Sequence, residues 1–269
     1  MPIKMRLFPF HSFMAINIDV EKEFEALLSK AALKVPLSDP GKYFYEQAVR
    51  AMDLFMYLIN LSEMADNAAS AYWDIFGKDD GQIDKKSDQQ PQSPYKNYLR
   101  EQSPVFIEMI FCRLVDNFLS YISEIIRLIL QKRPELLKSS ATIQIDYVLN
   151  FSNFDELIQD LIDRKVIELG YIGFLKLNEW CEKRIGETIT NDQKNLLNII
   201  ELIERRNIIV HNRSRVGKKY LEHVKNCSYE LNEHQTPGVY YLFRAYGLLV
   251  NLVKDFDPKV ARKFSIQVS

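Results

Sequence analysis

Residues that break helices are scarce in this chain. Glycine occurs 9 times and proline 10 times in 269 residues. That is too few for a sheet protein rich in tight turns, and the abundant Leu, Ile, Lys and Glu beside them favour helix. No segment of useful length alternates apolar with polar, and no repeat of fixed period stands out. Cysteine is scarce as well: Cys112, Cys181 and Cys227 lie far apart and form no CxxC pair. Zinc and a disulfide framework are therefore not expected, and the three read as buried or idle thiols of a reducing compartment. Nor does one sign of charge dominate. The formal net charge is −1, which excludes a globally basic nucleic-acid binder and confines any anionic partner to a local patch.

Long apolar runs are missing too. None approaches the ~20 residues that span a bilayer. The opening stretch, MPIKMRLFPFHSFMAINIDV, sets Lys4 and Arg6 before apolar residues as a signal peptide does. Pro9 and His11 interrupt it, and no small-residue cleavage site follows. The expectation is a soluble cytoplasmic protein, without membrane association, metal or cofactor.

What is present is apolar content, 47% of the chain, enough for a sizeable core. It is arranged at helical period. Residues 14–30 suggest a short amphipathic helix. From Tyr43 to Phe76 the positions Phe44, Ala48, Ala51, Phe55, Leu58, Leu61 and Met64 step by three or four, as one helix face requires. The polar, proline-bearing stretch around 77–97 cannot bury enough to offset its ordering entropy and reads as a linker. A long helix is then expected from Ser103, as N-cap, with Pro104 in its first turn, to Pro134. Its apolar positions are 107, 110, 111, 114, 115, 118, 122, 125, 126 and 129. Helices over Phe154 to Leu169, Gly173 to Lys183, 191–211, Val216 to Asn226 and Pro237 to Lys254 complete the pattern. In domain terms these are an N-terminal helical segment (1–76), a linker or loop (77–102), a helical domain (103–226) and a C-terminal helical extension (227–269).

The helix over 191–211 holds an anomaly. With Leu196 set at 0°, Ile199, Ile200, Ile203 and Val210 fall within about 60° of it, and Asn207 lies about 20° from the centre of that stripe. Arg206 and His211 sit on opposite flanks, about 140° apart. Buried polar groups left unpaired cost roughly 1–3 kcal/mol each, so the pattern calls for a partner, a cleft or a subunit interface. Plain structural roles are open as well: Asn207 bonding a neighbouring helix, His211 capping the C-terminus. Directly behind, HNRSRVGKKY holds Arg213, Arg215, Lys218 and Lys219 with no acidic residue. That is a local positive patch suited to a phosphodiester backbone, or else an ordinary solvated run. Tyr220 would add a stacking surface. Arg-x4-His spacing alone means little, since Arg6 and His11 also match it.

The segment RRNIIVHNRSRVGKKYLEHV resembles the signature of HEPN domains (higher-eukaryote and prokaryote nucleotide-binding), in which an Arg, a polar residue and a following His stand near the end of a core helix. The resemblance covers about 103–226, including the helices DNFLSYISEIIRLILQKRPELLKSS and FDELIQDLIDRKVIELGYIGFLKL. It implies an all-α HEPN-like bundle, to which the N-terminal helices are extra. It further implies a homodimer with facing motifs and metal-independent endoribonuclease activity in bacterial defence or toxin–antitoxin systems, some members being non-catalytic binding or scaffold modules. Carried over, the motif falls on Arg206, Asn207 and His211 as catalytic residues, with Arg205, Arg213, Arg215, Lys218 and Lys219 as RNA contacts. An acidic helper on the first core helix would be Asp116 or Glu124. RNA and an antitoxin or other partner protein are the binding partners the resemblance suggests.

Overall fold

In the computed structural model the described residues are 35–76, 93–138, 142–225 and 227–268. The helix expected over 14–30 lies outside them. The first described helix, α1 (Asp39–Phe76), begins where Ser38 caps it. The Ser38 hydroxyl accepts from the Gly41 N–H (3.3 Å), and its carbonyl from Lys42 N–H (2.8 Å). A fully buried carboxylate, Asp257, accepts from the Ser38 N–H at 2.7 Å and from its hydroxyl. Burial pushes this carboxyl up against the lowering effect of those Ser38 bonds. The inner face of α1 is Phe44, Ala48, Met52, Phe55 and Ile59, while Leu61 and Met64 of the expected face are exposed.

The central helix, α2 (Pro94–Lys132), starts well before Ser103, inside the segment expected as a loop. Its first turn is held by Asp66 of α1, whose carboxylate accepts from the N–H groups of Tyr95 and Lys96, both at 3.0 Å. A carboxylate at this end of a helix meets unsatisfied donors and the positive end of the dipole. Pro94 takes the first-turn position, and Pro104 lies within the helix. Pro104 has no N–H to offer Arg100, and the Ser103 hydroxyl donates to that carbonyl instead (2.8 Å). All ten apolar positions expected on this helix are buried.

Beyond α2 come a 3-10 turn (Pro134–Leu137) and helices α3 (Ile145–Val148), α4 (Phe154–Tyr171) and α5 (Phe174–Trp180). A π turn (Cys181–Ile185) follows, then α6 (Gln193–Asn212), α7 (Lys218–His223) and α8 (Val239–Phe264). The described residues hold no strand, so the fold is all-α. No helix among them is long and apolar enough to cross a membrane. Helix α8 runs ten residues past its expected end, through Pro258. Helix α7 is shorter than expected, because the Val216 backbone pairs instead with Asn232 (2.8 Å) and Glu233 (2.9 Å).

One apolar core joins α1, α2, α4, α5, α6 and α8, so α1 and α8 share it with the 103–226 segment. Phe44 stacks edge-on to Phe118, and Phe55 to Phe243. Thus α1 lies antiparallel to both α2 and α8. Helix α6 enters from a turn pinned by Asn178, whose amide exchanges two bonds with the Thr190 backbone (3.0 and 3.1 Å). The Asp192 side chain then caps α6 by accepting from Asn195 N–H at 2.9 Å.

The close approach of α1 to α8 is testable. A Cβ on Gly41 would fall 2.7 Å from Asp257 Oδ1, an atom held in place by Ser38. Gly41→Ala is therefore expected to destabilise by about 1–3 kcal/mol. Gly170, in α4, has open space where a Cβ would go, and Gly170→Ala is expected to stabilise by about 0.4–1 kcal/mol. Urea midpoints of the two variants should move in opposite directions.

Candidate functional site

The two neighbouring arginines of α6 have opposite fates. Arg205 is only 4% exposed. Its Nε donates to Glu201 Oε1 one turn back (2.7 Å), and Nη2 donates to the hydroxyls of Tyr220 and Tyr229, both at 3.2 Å. The guanidinium also lies over the Tyr241 ring, 4.6 Å from its centre. Glu201 is shared: Tyr220 donates to its Oε1 (3.0 Å) and Tyr241 to its Oε2. Burial opposes the Arg205 charge, but Glu201 and the tyrosines outweigh it and hold the group firmly protonated. Burial and the Glu201 charge push the Tyr241 and Tyr220 hydroxyls well above the ordinary phenol range.

This corrects two expectations. Arg205, expected as an RNA contact, is buried and its Nε and Nη2 are bonded to Glu201, Tyr220 and Tyr229. Tyr220 is buried and offers no stacking face. The hub also changes which side of the helix is covered. Glu204, Arg205 and Ile208 face inward at its C-terminal end, while Ile203 and Asn207 are half-buried and Val210 is 49% exposed. The stripe expected to face the core is buried at Leu196 and Ile199, half-buried against that core at Ile200 and Ile203, and exposed at Val210.

On that open face Arg206 points toward α2. Its Nε lies 2.7 Å from Asp116 Oδ1, an ion pair in which the N–H is not aimed along the hydrogen-bond line. Arg206 Nη1 donates to Asn207 Oδ1 (3.2 Å), and Asn207 Nδ2 donates to Glu204 Oε2 (3.5 Å). The other oxygen of Glu204 lies 2.6 Å from His223 Nδ1, on α7. Five side chains from three helices thus touch in series: Asp116, Arg206, Asn207, Glu204 and His223. Of the two acidic residues considered as helpers, Asp116 meets the motif. Glu124 is exposed and pairs with Arg127 at 3.4 Å. Cys112 lies beside the ion pair, its thiol pushed up to about 11 by burial and then by Asp116. Burial pushes the Cys181 thiol up to about 12. Neither is an activated nucleophile.

His211 is exposed in the last turn of α6 and hydrogen-bonds none of the described residues. It does not cap the helix. Arg213 and Ser214 both adopt left-handed backbone (φ 52° and 58°), and the Ser214 N–H closes on the Ile208 carbonyl at 3.0 Å. The Ser214 hydroxyl also donates to Glu108 of α2. Arg213, Arg215, Lys218 and Lys219 are all exposed. Arg215 Nη1 spends one bond on the Asn232 carbonyl (3.1 Å), fixing the basic turn to the segment before α8.

Periodicity had no means of finding His223 or its link to Glu204, because the two are far apart in sequence. The Glu201–Arg205 pair was open to reading as an i,i+4 couple of opposite charge. Among the described residues no group of three or more His, Cys, Asp and Glu side chains is arranged to hold a metal ion. No family model, curated protein or solved structure matches this chain.

Removing one partner of a buried ion pair costs about 3–5 kcal/mol. Arg205→Ala should lower the unfolding free energy by that much in urea titration. Lys219→Ala, at an exposed site, should stay within about 0.5 kcal/mol of wild type.

Proposed function

We propose that this chain is a metal-independent endoribonuclease of the HEPN type, acting on RNA through the ribose 2′-OH. The observation that supports it best is the Arg206–Asn207 pair. It stands on an accessible helix face, held by Asp116 and Glu204, with His211 exposed about one turn further on. Such cleavage needs a base that titrates near neutral pH, for which imidazole is suited. It also needs fixed positive charge at the phosphorane oxygens, for which a planar guanidinium is suited. His211 takes the role of base or acid and Arg206 that of phosphate clamp. Arg213, Arg215, Lys218 and Lys219 draw in the backbone. Asn207 orients Arg206, whose Nη1 donates to its Oδ1. The products are a 2′,3′-cyclic phosphate and a 5′-hydroxyl.

The reading takes a homodimer as the working unit. Exposed Val105, Met109 and Val210, on the same two helices as the Arg206–Asp116 pair, support a second copy seated there. A cytoplasmic setting rests on the scattered cysteines and the interrupted N-terminal stretch, while a defence or toxin–antitoxin role and an antitoxin-like partner rest on the motif resemblance alone. A second reading is a non-catalytic dimerisation or nucleotide-binding module. One observation favours it: Arg206 already meets a carboxylate, which a phosphate would have to displace.

The two separate in a cleavage assay on single-stranded RNA in excess chelator. Wild type should cut, and His211→Ala and Arg206→Ala should be slower by about 10²-fold or more. Equal cutting by all three, or none by any, sinks the nuclease reading. RNA binding should weaken as salt rises, since basic side chains displace counterions, and Lys218→Ala with Lys219→Ala should flatten that dependence.

A further inference from the structure

We propose that His223 is a second proton-transfer group of the same reaction, donating to the departing 5′-oxygen, with Glu204 as its positioning residue. This rests on the nuclease reading. A catalytic imidazole is normally held by a third group that sets its ring. His211, the histidine of the motif, has no such group among the described residues. His223 has one. Glu204 is buried, and as a carboxylate it only accepts, so the contact at 2.6 Å places a proton on Nδ1 and leaves Nε2 to exchange protons with whatever lies outside. The His223 side chain is 45% exposed, open to a substrate.

Two contacts tie this imidazole to the site. The Glu204 carboxylate that holds it also accepts from Asn207, which in turn holds Arg206. Two side chains, Glu204 and Asn207, therefore link His223 to the proposed phosphate clamp. On α7, Lys219 stands four residues before His223, about 40° round the helix, and both are exposed. Lys219 and His223 thus share one exposed side of α7, where a phosphodiester drawn in by Lys219 would meet the free edge of the imidazole.

The step balances with two imidazoles. The 2′-oxygen bonds to phosphorus as the bond from phosphorus to the 5′-oxygen breaks. The 2′-hydroxyl proton goes to His211, and the 5′-oxygen takes its proton from His223 Nε2. Proton exchange with water resets both.

The test uses a leaving group that needs no acid. In RNA whose scissile 5′-oxygen is replaced by bridging sulfur, the departing thiolate is stable at a pKa near ~8.5 and leaves unprotonated. The full chain, His223→Ala, His223→Asn and Glu204→Gln are compared on ordinary and sulfur-bridged RNA. Asn keeps a donor toward Glu204 and has no group at Nε2, so it separates lost packing from a lost proton. Both His223 variants should cut ordinary RNA about 10²–10⁴-fold more slowly than wild type and recover to within about tenfold of it on the sulfur substrate. Glu204→Gln should show the same pattern more weakly. Wild-type rates on ordinary RNA in the His223 variants would overturn the proposal, as would equal loss on both substrates. In either case the nuclease reading still stands. If wild type cuts neither substrate, both fall together.

Discussion

Arg205 is a charge taken out of water, and the arrangement around it follows from how that charge is satisfied. Its partners come from four places in the chain: Glu201 on the same helix, Tyr220 on α7, Tyr229 in the loop beyond, and Tyr241 at the start of α8. An isolated buried guanidinium is costly, and the cost is met only when all of its donors and its ring contacts are in place together. The network therefore fixes α6, α7 and α8 relative to one another more tightly than the small apolar cluster of Ile208, Val216 and Tyr220 would alone.

The position of Arg206 is a consequence. Adjacent residues on a helix point about 100° apart, so locking Arg205 inward sends Arg206 to the side, where α2 supplies Asp116. Asn207 then comes to the open face. The dipeptide Arg205–Arg206 thus does two jobs with one residue type: one guanidinium closes the core and the other is presented at the surface. An Arg→Lys exchange would not be equivalent at the first position, since Lys has no planar fork to reach three partners in different directions.

This explains which parts of the structure could be read from the sequence. The long central helix was legible down to individual residues, because α2 is packed from several sides and its burial tracks apolar period closely. Its start was not. Both Ser93–Pro94 and Ser103–Pro104 look like helix openings, and the choice is made by Asp66, a residue on another helix. The end of α8 was misread for a related reason: Pro258 stops a helix by local rules, yet the helix continues where Asp257 is anchored on Ser38. On α6 the local pattern located the motif and mistook its direction. Apolar period put Asn207 toward the core, and three tyrosines from later in the chain cover another side of the C-terminal half, so that the arginine before the motif is the buried one. Local sequence carries the period. It does not carry the partners that decide which polar residue is allowed inside.

The series from Asp116 to His223 would be a poor device for stability alone. Several of its members are partly exposed, and exposed ion pairs contribute roughly 0–1 kcal/mol each. The series lies directly beside the Arg205 hub, on the same two turns of α6, so the hub supplies the rigidity and the series uses it. Each link constrains the next: Asp116 and Asn207 hold Arg206, Glu204 holds Asn207, and the same carboxyl group holds His223. Groups that must meet a substrate in one geometry need such support from elements that do not move. A carboxylate shared between an amide and an imidazole also couples them, so a ligand that shifts Arg206 away from Asp116 must be felt at His223 through no more than two intervening side chains. That short path is available within a single protomer, before any second copy is added.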